Sequence, residues 1–95
     1  MKRAQVIVPW KEGLHLRPAA KLVRLAQTFR ASLCLKRGRK VANLRSILSL
    51  MTLCAAVGTP LEIEAAGDDE QEALGAVEHA FRTDGPEEEF TAALP

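Results

Sequence analysis

Residues 13–20 read Gly13-Leu14-His15-Leu16-Arg17-Pro18-Ala19-Ala20, and here a loop turns into a helix. Pro18 fits the first helical turn, where its missing N–H removes no intrahelical bond. It also biases Arg17 away from helical dihedrals, so the start is expected to be slightly irregular. From Leu16 to about Phe29, Leu16, Ala19, Ala20, Val23 and Ala26 recur as one apolar stripe, widened by Leu22 and Phe29. Arg17, Lys21, Arg24 and Thr28 fall on the other side. That pattern predicts an amphipathic helix.

Working outward, Arg3–Val8 alternates with Ala4, Val6 and Val8 on one face and predicts a strand. After the helix, Ala31–Arg37 alternates again with Leu33 and Leu35 inward, and Gly38 turns the chain into a short strand at Val41–Leu44. Ser46 is placed to cap a short apolar helix from Ile47 to about Leu53. Val57-Gly58-Thr59-Pro60 breaks it, and Leu61-Glu62-Ile63-Glu64-Ala65 has the clearest strand period in the chain. Asp68 or Asp69 starts a last helix, with Asp69 and Glu72 at capping-box spacing. Leu74, Val77, Ala80 and Phe81 give its buried stripe, and Gly85-Pro86 ends it. The order β-α-β-β-α-β-α predicts an α+β sandwich with helices on one face of a sheet. Periodicity does not set the strand order.

With 95 residues, 47% hydrophobic and 26% charged, the chain is the size of one small globular domain. The longest apolar stretch, Ile47–Val57, is too short to span a bilayer, and a strand-like run begins almost at once, so neither membrane insertion nor a signal peptide is expected. Cys34 and Cys54 support no zinc site and no disulfide framework, and read as reduced thiols packed as small apolar groups. The net charge of +1 conceals an asymmetry. All 13 lysines and arginines except Arg82 lie between Lys2 and Arg45, where Glu12 is the only one of the 12 carboxylates. Such a split implies either a basic face for an acidic partner or two halves that interleave in the fold.

His15 stands where backbone N–H groups lack intrahelical partners and the helix dipole favours an anion. Arg17 adds a planar fork of donors suited to phosphate oxygens. A phosphoryl group carried on the imidazole would be stabilised by both. The octet resembles the active-site motif of the HPr family, the histidine-containing phosphocarriers of the bacterial phosphoenolpyruvate-dependent phosphotransferase system. A second stretch, Asn43-Leu44-Arg45-Ser46-Ile47-Leu48-Ser49-Leu50-Met51, resembles the segment around that family's regulatory serine.

The resemblance implies an open-faced sandwich, with a four-stranded antiparallel sheet covered on one face by three helices. It implies a domain over residues 1–85, followed by an acidic tail over 86–95. It further implies a cytoplasmic carrier, not an enzyme, that takes a phosphoryl group on His15 from phosphoenolpyruvate through enzyme I. The group then passes to a sugar-specific component or a regulator, with Arg17 contacting it. Ser46 is either a plain helix cap or the target of a kinase. Leu16, Ala20, Ile47, Leu48 and Met51 would form the patch that docks on partners, while Leu50 and Leu53 are better core candidates. No cofactor, metal or nucleic acid is implied, and a monomer is expected. Leu16 stands where the family usually has alanine, Ser49 where glycine is frequent, and the tail is longer than usual.

One alternative keeps the fold but makes it a regulatory module of a nitrogen-type or incomplete relay, without sugar transport. A histidine-dependent enzyme would need a paired acid, base or metal set that does not accompany His15. The basic run Lys36–Lys40, with Arg45 nearby, contains no aromatic residue to stack bases, so a charged hairpin turn fits better than nucleic-acid binding. His79, outside any motif, reads as a solvated or packed histidine.

Overall fold

The computed structural model describes residues 1–82. Seven elements follow one another: β1 Lys2–Ile7, α1 Leu16–Ala26, β2 Ser32–Arg37, β3 Lys40–Asn43, α2 Ile47–Met51, β4 Pro60–Ala66 and α3 Glu70–Arg82. They form one sheet in the order β1-β4-β2-β3, with every neighbouring pair antiparallel. Open-faced α+β architecture and element order agree with the reading of the sequence.

Register explains why one face is apolar. Ala4 lies opposite Ile63, Ile63 opposite Leu35, and Leu35 opposite Ala42, so one row crosses all four strands on the covered face. Because successive side chains alternate, the next residues along each strand face the other way. There Arg3, Glu64 and Cys34 form a row, with Arg3 Nε 2.8 Å and Lys36 Nζ 2.7 Å from Glu64 Oε2. The Lys36 hydrogen bond is the first cause, and the Arg3 bond a further one, holding the Glu64 carboxyl below its usual range.

Leu22, Leu44, Leu50, Leu53 and Val77 join the covered face in a core in which every buried side chain among the described residues is apolar. Each such large side chain stabilises the fold by about 1.5–3 kcal/mol relative to exposure. Leu50 and Leu53, the better core candidates of that segment, are fully buried.

Some expectations change. α1 ends at Ala26 rather than near Phe29; Thr28 Oγ1 donates to the Leu25 carbonyl and the chain turns, leaving Phe29 packed against the core from the turn. Leu16 does not share the buried stripe, because position one of α1 overhangs the core. α2 stops at Met51, and Leu53 is buried from the following turn. The capping box of Asp69 with Glu72 does not form. Asp69 instead accepts N–H bonds from Arg30 and Ala31 at 2.9 and 2.8 Å, tying the start of α3 to the α1–β2 turn, while Glu70 Oε1 accepts from the Gly67 N–H. The Arg30 bond leads the causes that lower the Asp69 carboxyl. The proposed stop at Gly85-Pro86 and the acidic tail lie outside the described residues.

Candidate phosphoacceptor site

The site is built by a loop that strand β1 feeds into α1. Val8 N–H donates to the Thr59 carbonyl at 3.0 Å and Gly58 N–H returns to Val8 at 2.8 Å, clamping the loop to the start of β4. Leu14 N–H then donates to the Ala55 carbonyl at 2.8 Å. Gly13 sits at φ +80°, and a Cβ there would lie 2.6 Å from the Ala55 oxygen. Both the left-handed backbone and the close approach demand glycine. Gly13 is therefore a fixed packing point that sets where His15 stands.

Trp10, buried at the other side of the loop, packs on Phe81 with ring centroids 4.9 Å apart. Its Nε1 is buried and has no hydrogen-bond partner among the described residues. Its carbonyl accepts the Gly13 N–H at 2.8 Å. The last turn of α3 thus braces the loop that holds His15.

His15 is the N-cap residue of α1, with extended backbone (φ −96°, ψ −170°) and no capping hydrogen bond from its side chain. Its carbonyl accepts the first intrahelical N–H, from Ala19, at 3.1 Å. No acidic residue occupies the first turn, so no carboxylate there competes for the positive helix end. The ring is half-exposed and the neighbouring Arg17 exposed.

Of the residues that the sequence assigns to a docking patch, Leu16 is 62% exposed, Leu48 81% and Met51 37%, while Ile47 and Ala20 are half-buried. α1 packs on α2. The sequence-predicted patch thus divides into an exposed rim of Leu16, Leu48 and Met51, a half-buried Ala20, and Ile47, which also packs against the core. Leu16 and Leu48 present apolar surface with no structural reason to be apolar.

Ser46 caps α2, its Oγ accepting the Ser49 N–H at 3.1 Å. Ser49, the departure from the frequent glycine, uses its own hydroxyl to accept the Asn43 N–H at 3.0 Å. Arg45 was grouped by sequence with the basic run, yet its guanidinium reaches back to the Ala26 and Phe29 carbonyls at the end of α1. A cation there satisfies terminal carbonyls and meets the negative helix end. Arg37 likewise donates to Leu53 and Cys54 carbonyls at 2.6 and 3.2 Å. Much of the basic run is thus committed to internal contacts. The roles of Ala55, Trp10, Arg37 and Arg45 had no sequence signal, because each depends on a carbonyl or ring distant in the chain.

The cysteines are corrected in one respect. Cys34 is half-buried beside Glu64, and burial first, then that carboxylate, raises its thiol. Cys54 is exposed at φ +49° after α2, not packed as a small apolar group, because the chain reverses there. His79 lies exposed on α3. Among the described residues no cluster of His, Cys, Asp and Glu could hold a metal, and no helix is long and apolar enough to cross a membrane.

Residues 2–83 match the family described as the PTS HPr component phosphorylation site. The chain belongs to the HPr family. It is 42% identical over 74 residues to the HPr-like protein Crh of Bacillus subtilis, covering 78% of this chain and 87% of Crh. It is 45% identical over 67 residues to the phosphocarrier protein HPr of Haemophilus influenzae, covering 70% and 75% of the two chains. The crystal structure of HPr from Bacillus anthracis superposes with a TM-score of 0.81 at 33% identity, covering 85% of this chain and 96% of that one. As an HPr-type protein, the chain is a phosphocarrier of the phosphotransferase system, a carrier of phosphoryl groups and not an enzyme.

Proposed function

We propose that His15 carries the phosphoryl group, which it receives from enzyme I charged by phosphoenolpyruvate and passes to a sugar-specific component or a regulator in the cytoplasm. The observation supporting this is the placement of a half-exposed imidazole as the uncapped N-cap of α1, on a loop fixed by Gly13 and Ala55. A P–N bond forms at a ring nitrogen as the phosphorus leaves its donor. The new dianionic group lies at the positive end of α1, where backbone N–H groups favour an anion. Arg17, two residues on, offers a charge-assisted contact to its oxygens. A helix end holds such a group without enclosing it, which suits relay rather than storage.

Leu16, Leu48 and Met51, with Ala20 and Ile47 behind them, form the docking rim in this reading. Ser46 lies next to that rim, so phosphate on its hydroxyl would put negative charge where an acidic partner approaches. The likeness to Crh, the Bacillus subtilis catabolite repression HPr, favours keeping a regulatory role beside transport as the second reading.

The test is incubation with enzyme I and labelled phosphoenolpyruvate, followed by mapping of the label. Acid-labile label is expected on His15 alone and absent from His15→Ala. Equal label on His79, or label surviving in His15→Ala, would sink the assignment.

A further inference from the structure

The chain leaves its last described residue, Arg82, beside the proposed phosphoacceptor loop. Phe81 stacks on Trp10, the Trp10 carbonyl holds Gly13, and His15 follows two residues later. Whatever follows Arg82 therefore starts next to the face that bears His15.

The composition of that face and of residues 83–95 is complementary. No aspartate or glutamate occurs anywhere between Glu12 and Glu62, so α1, β2, β3 and α2 bring no carboxylate to it. They bring Arg17, Lys21 and Arg24 on α1 and the exposed rim of Leu16, Leu48 and Met51. Residues 83–95 bring Asp84, the run Glu87-Glu88-Glu89, then Phe90 and Leu94. Acidic residues followed by apolar ones match a basic helix side bordered by an apolar rim. Fully extended, this segment spans on the order of 40 Å, comparable to the 38 Å longest dimension of the fold. Reach is thus no obstacle.

We propose that residues 83–95 dock in cis on the α1–α2 face, the glutamates against the α1 cations and Phe90 against the Leu16–Leu48–Met51 rim. The segment then occupies the surface through which an acidic partner would reach His15, and acts as a built-in competitor for that partner. As a covalently attached ligand it competes at a fixed effective concentration, independent of the amount of protein. The competition rests on the reading of this face as the docking surface; the docking itself does not.

The experiment compares the full chain with a full-length variant carrying E87Q, E88Q, E89Q and F90A. Two-dimensional amide NMR is expected to show shifts concentrated at Leu16, Arg17, Lys21, Leu48 and Met51, with the open sheet face at Arg3, Gln5 and Glu62 unmoved. In the wild type those amide positions should be the same at tenfold dilution. Phosphorylation against enzyme I concentration is expected to show a KM two- to tenfold lower in the variant, with the maximal rate unchanged. Unchanged amide positions on the α1–α2 face would overturn the docking. Positions that move with dilution would overturn docking in cis and assign the contact to a second copy. Amide shifts as expected with an unaltered KM would overturn the competition. If label never reaches His15, the phosphoacceptor assignment fails, while the NMR comparison still decides the docking.

Discussion

Helices α1 and α2 start in the same backbone conformation and do opposite things with it. Both have an extended N-cap residue, His15 in one and Ser46 in the other. Ser46 closes its helix with its own hydroxyl, and Ser49 returns a second hydroxyl to Asn43. His15 makes no such bond, and its position is held from outside by Trp10, Ala55 and the left-handed Gly13. The difference teaches that a small domain can hold a helix start in two ways. α2 is closed by the hydroxyl of its own N-cap, while at α1 the His15 side chain makes no capping bond and support comes from the loop that leads in.

The largest effect is expected where that external support is removed. Gly13→Ala must accommodate both an unfavourable φ and a Cβ against the Ala55 oxygen, and a destabilisation of ~2–4 kcal/mol is expected. Chemical denaturation reads it as a lowered midpoint at unchanged slope. A midpoint equal to wild type would show that α1 does not depend on the loop, and the contrast with α2 would collapse.

Arg17→Ala comes next and leaves the fold alone. Loss of one charge-assisted contact to the phosphoryl group should slow transfer by roughly one to two orders of magnitude, with an unaltered unfolding midpoint. Unchanged transfer kinetics would reduce Arg17 to a surface charge and leave His15 and the helix end as the whole site.

Ser46→Ala sharpens the comparison from the other helix. Loss of the cap should cost ~0.5–2 kcal/mol, while His15 phosphorylation proceeds at the wild-type rate. Ser46→Asp keeps an acceptor at the cap, so the fold should survive while phosphorylation by enzyme I weakens. If Ser46→Ala slows transfer as much as Ser46→Asp, the hydroxyl rather than the charge matters, and the two helix starts are not functionally separate.

The smallest effect concerns the third helix start, where Asp69 serves another segment. Its carboxyl titrates below the usual range because Arg30, foremost, and Ala31 donate backbone N–H bonds to it. A folded pKa below the unfolded one gives stability that is present above the unfolded pKa and lost as pH falls through the folded one. The denaturation midpoint should therefore decline on acidification through and below the ordinary aspartate range, and less so in Asp69→Asn. Parallel pH profiles for the two proteins would show that Asp69 contributes nothing pH-dependent.

The period-two runs at Leu33–Leu35 and Leu61–Ala65 and the helical stripe through Ala19, Leu22 and Ala26 were legible because burial selects apolar residues at the repeat of each element. The helix starts at His15 and Ser46 were legible for a second reason: where a helix begins depends on residues adjacent in the chain. The same logic failed for Asp69, where the local rule suggested Glu72 and the carboxylate instead chose backbone donors from the α1–β2 turn. It failed for Arg45 and Arg37 too, since charge alone cannot tell a solvated cation from one bound to a carbonyl.

By itself, then, the sequence determined the element order, the two apolar faces and the residues that stand at the helix starts, because each is written in spacings of a few residues. Tertiary structure decided the strand order β1-β4-β2-β3, the exposure of Leu16 and the fixing of His15 by Trp10, Gly13 and Ala55. Those depend on contacts between segments far apart in the chain, where backbone carbonyls, which no residue letter distinguishes, supply most of the partners.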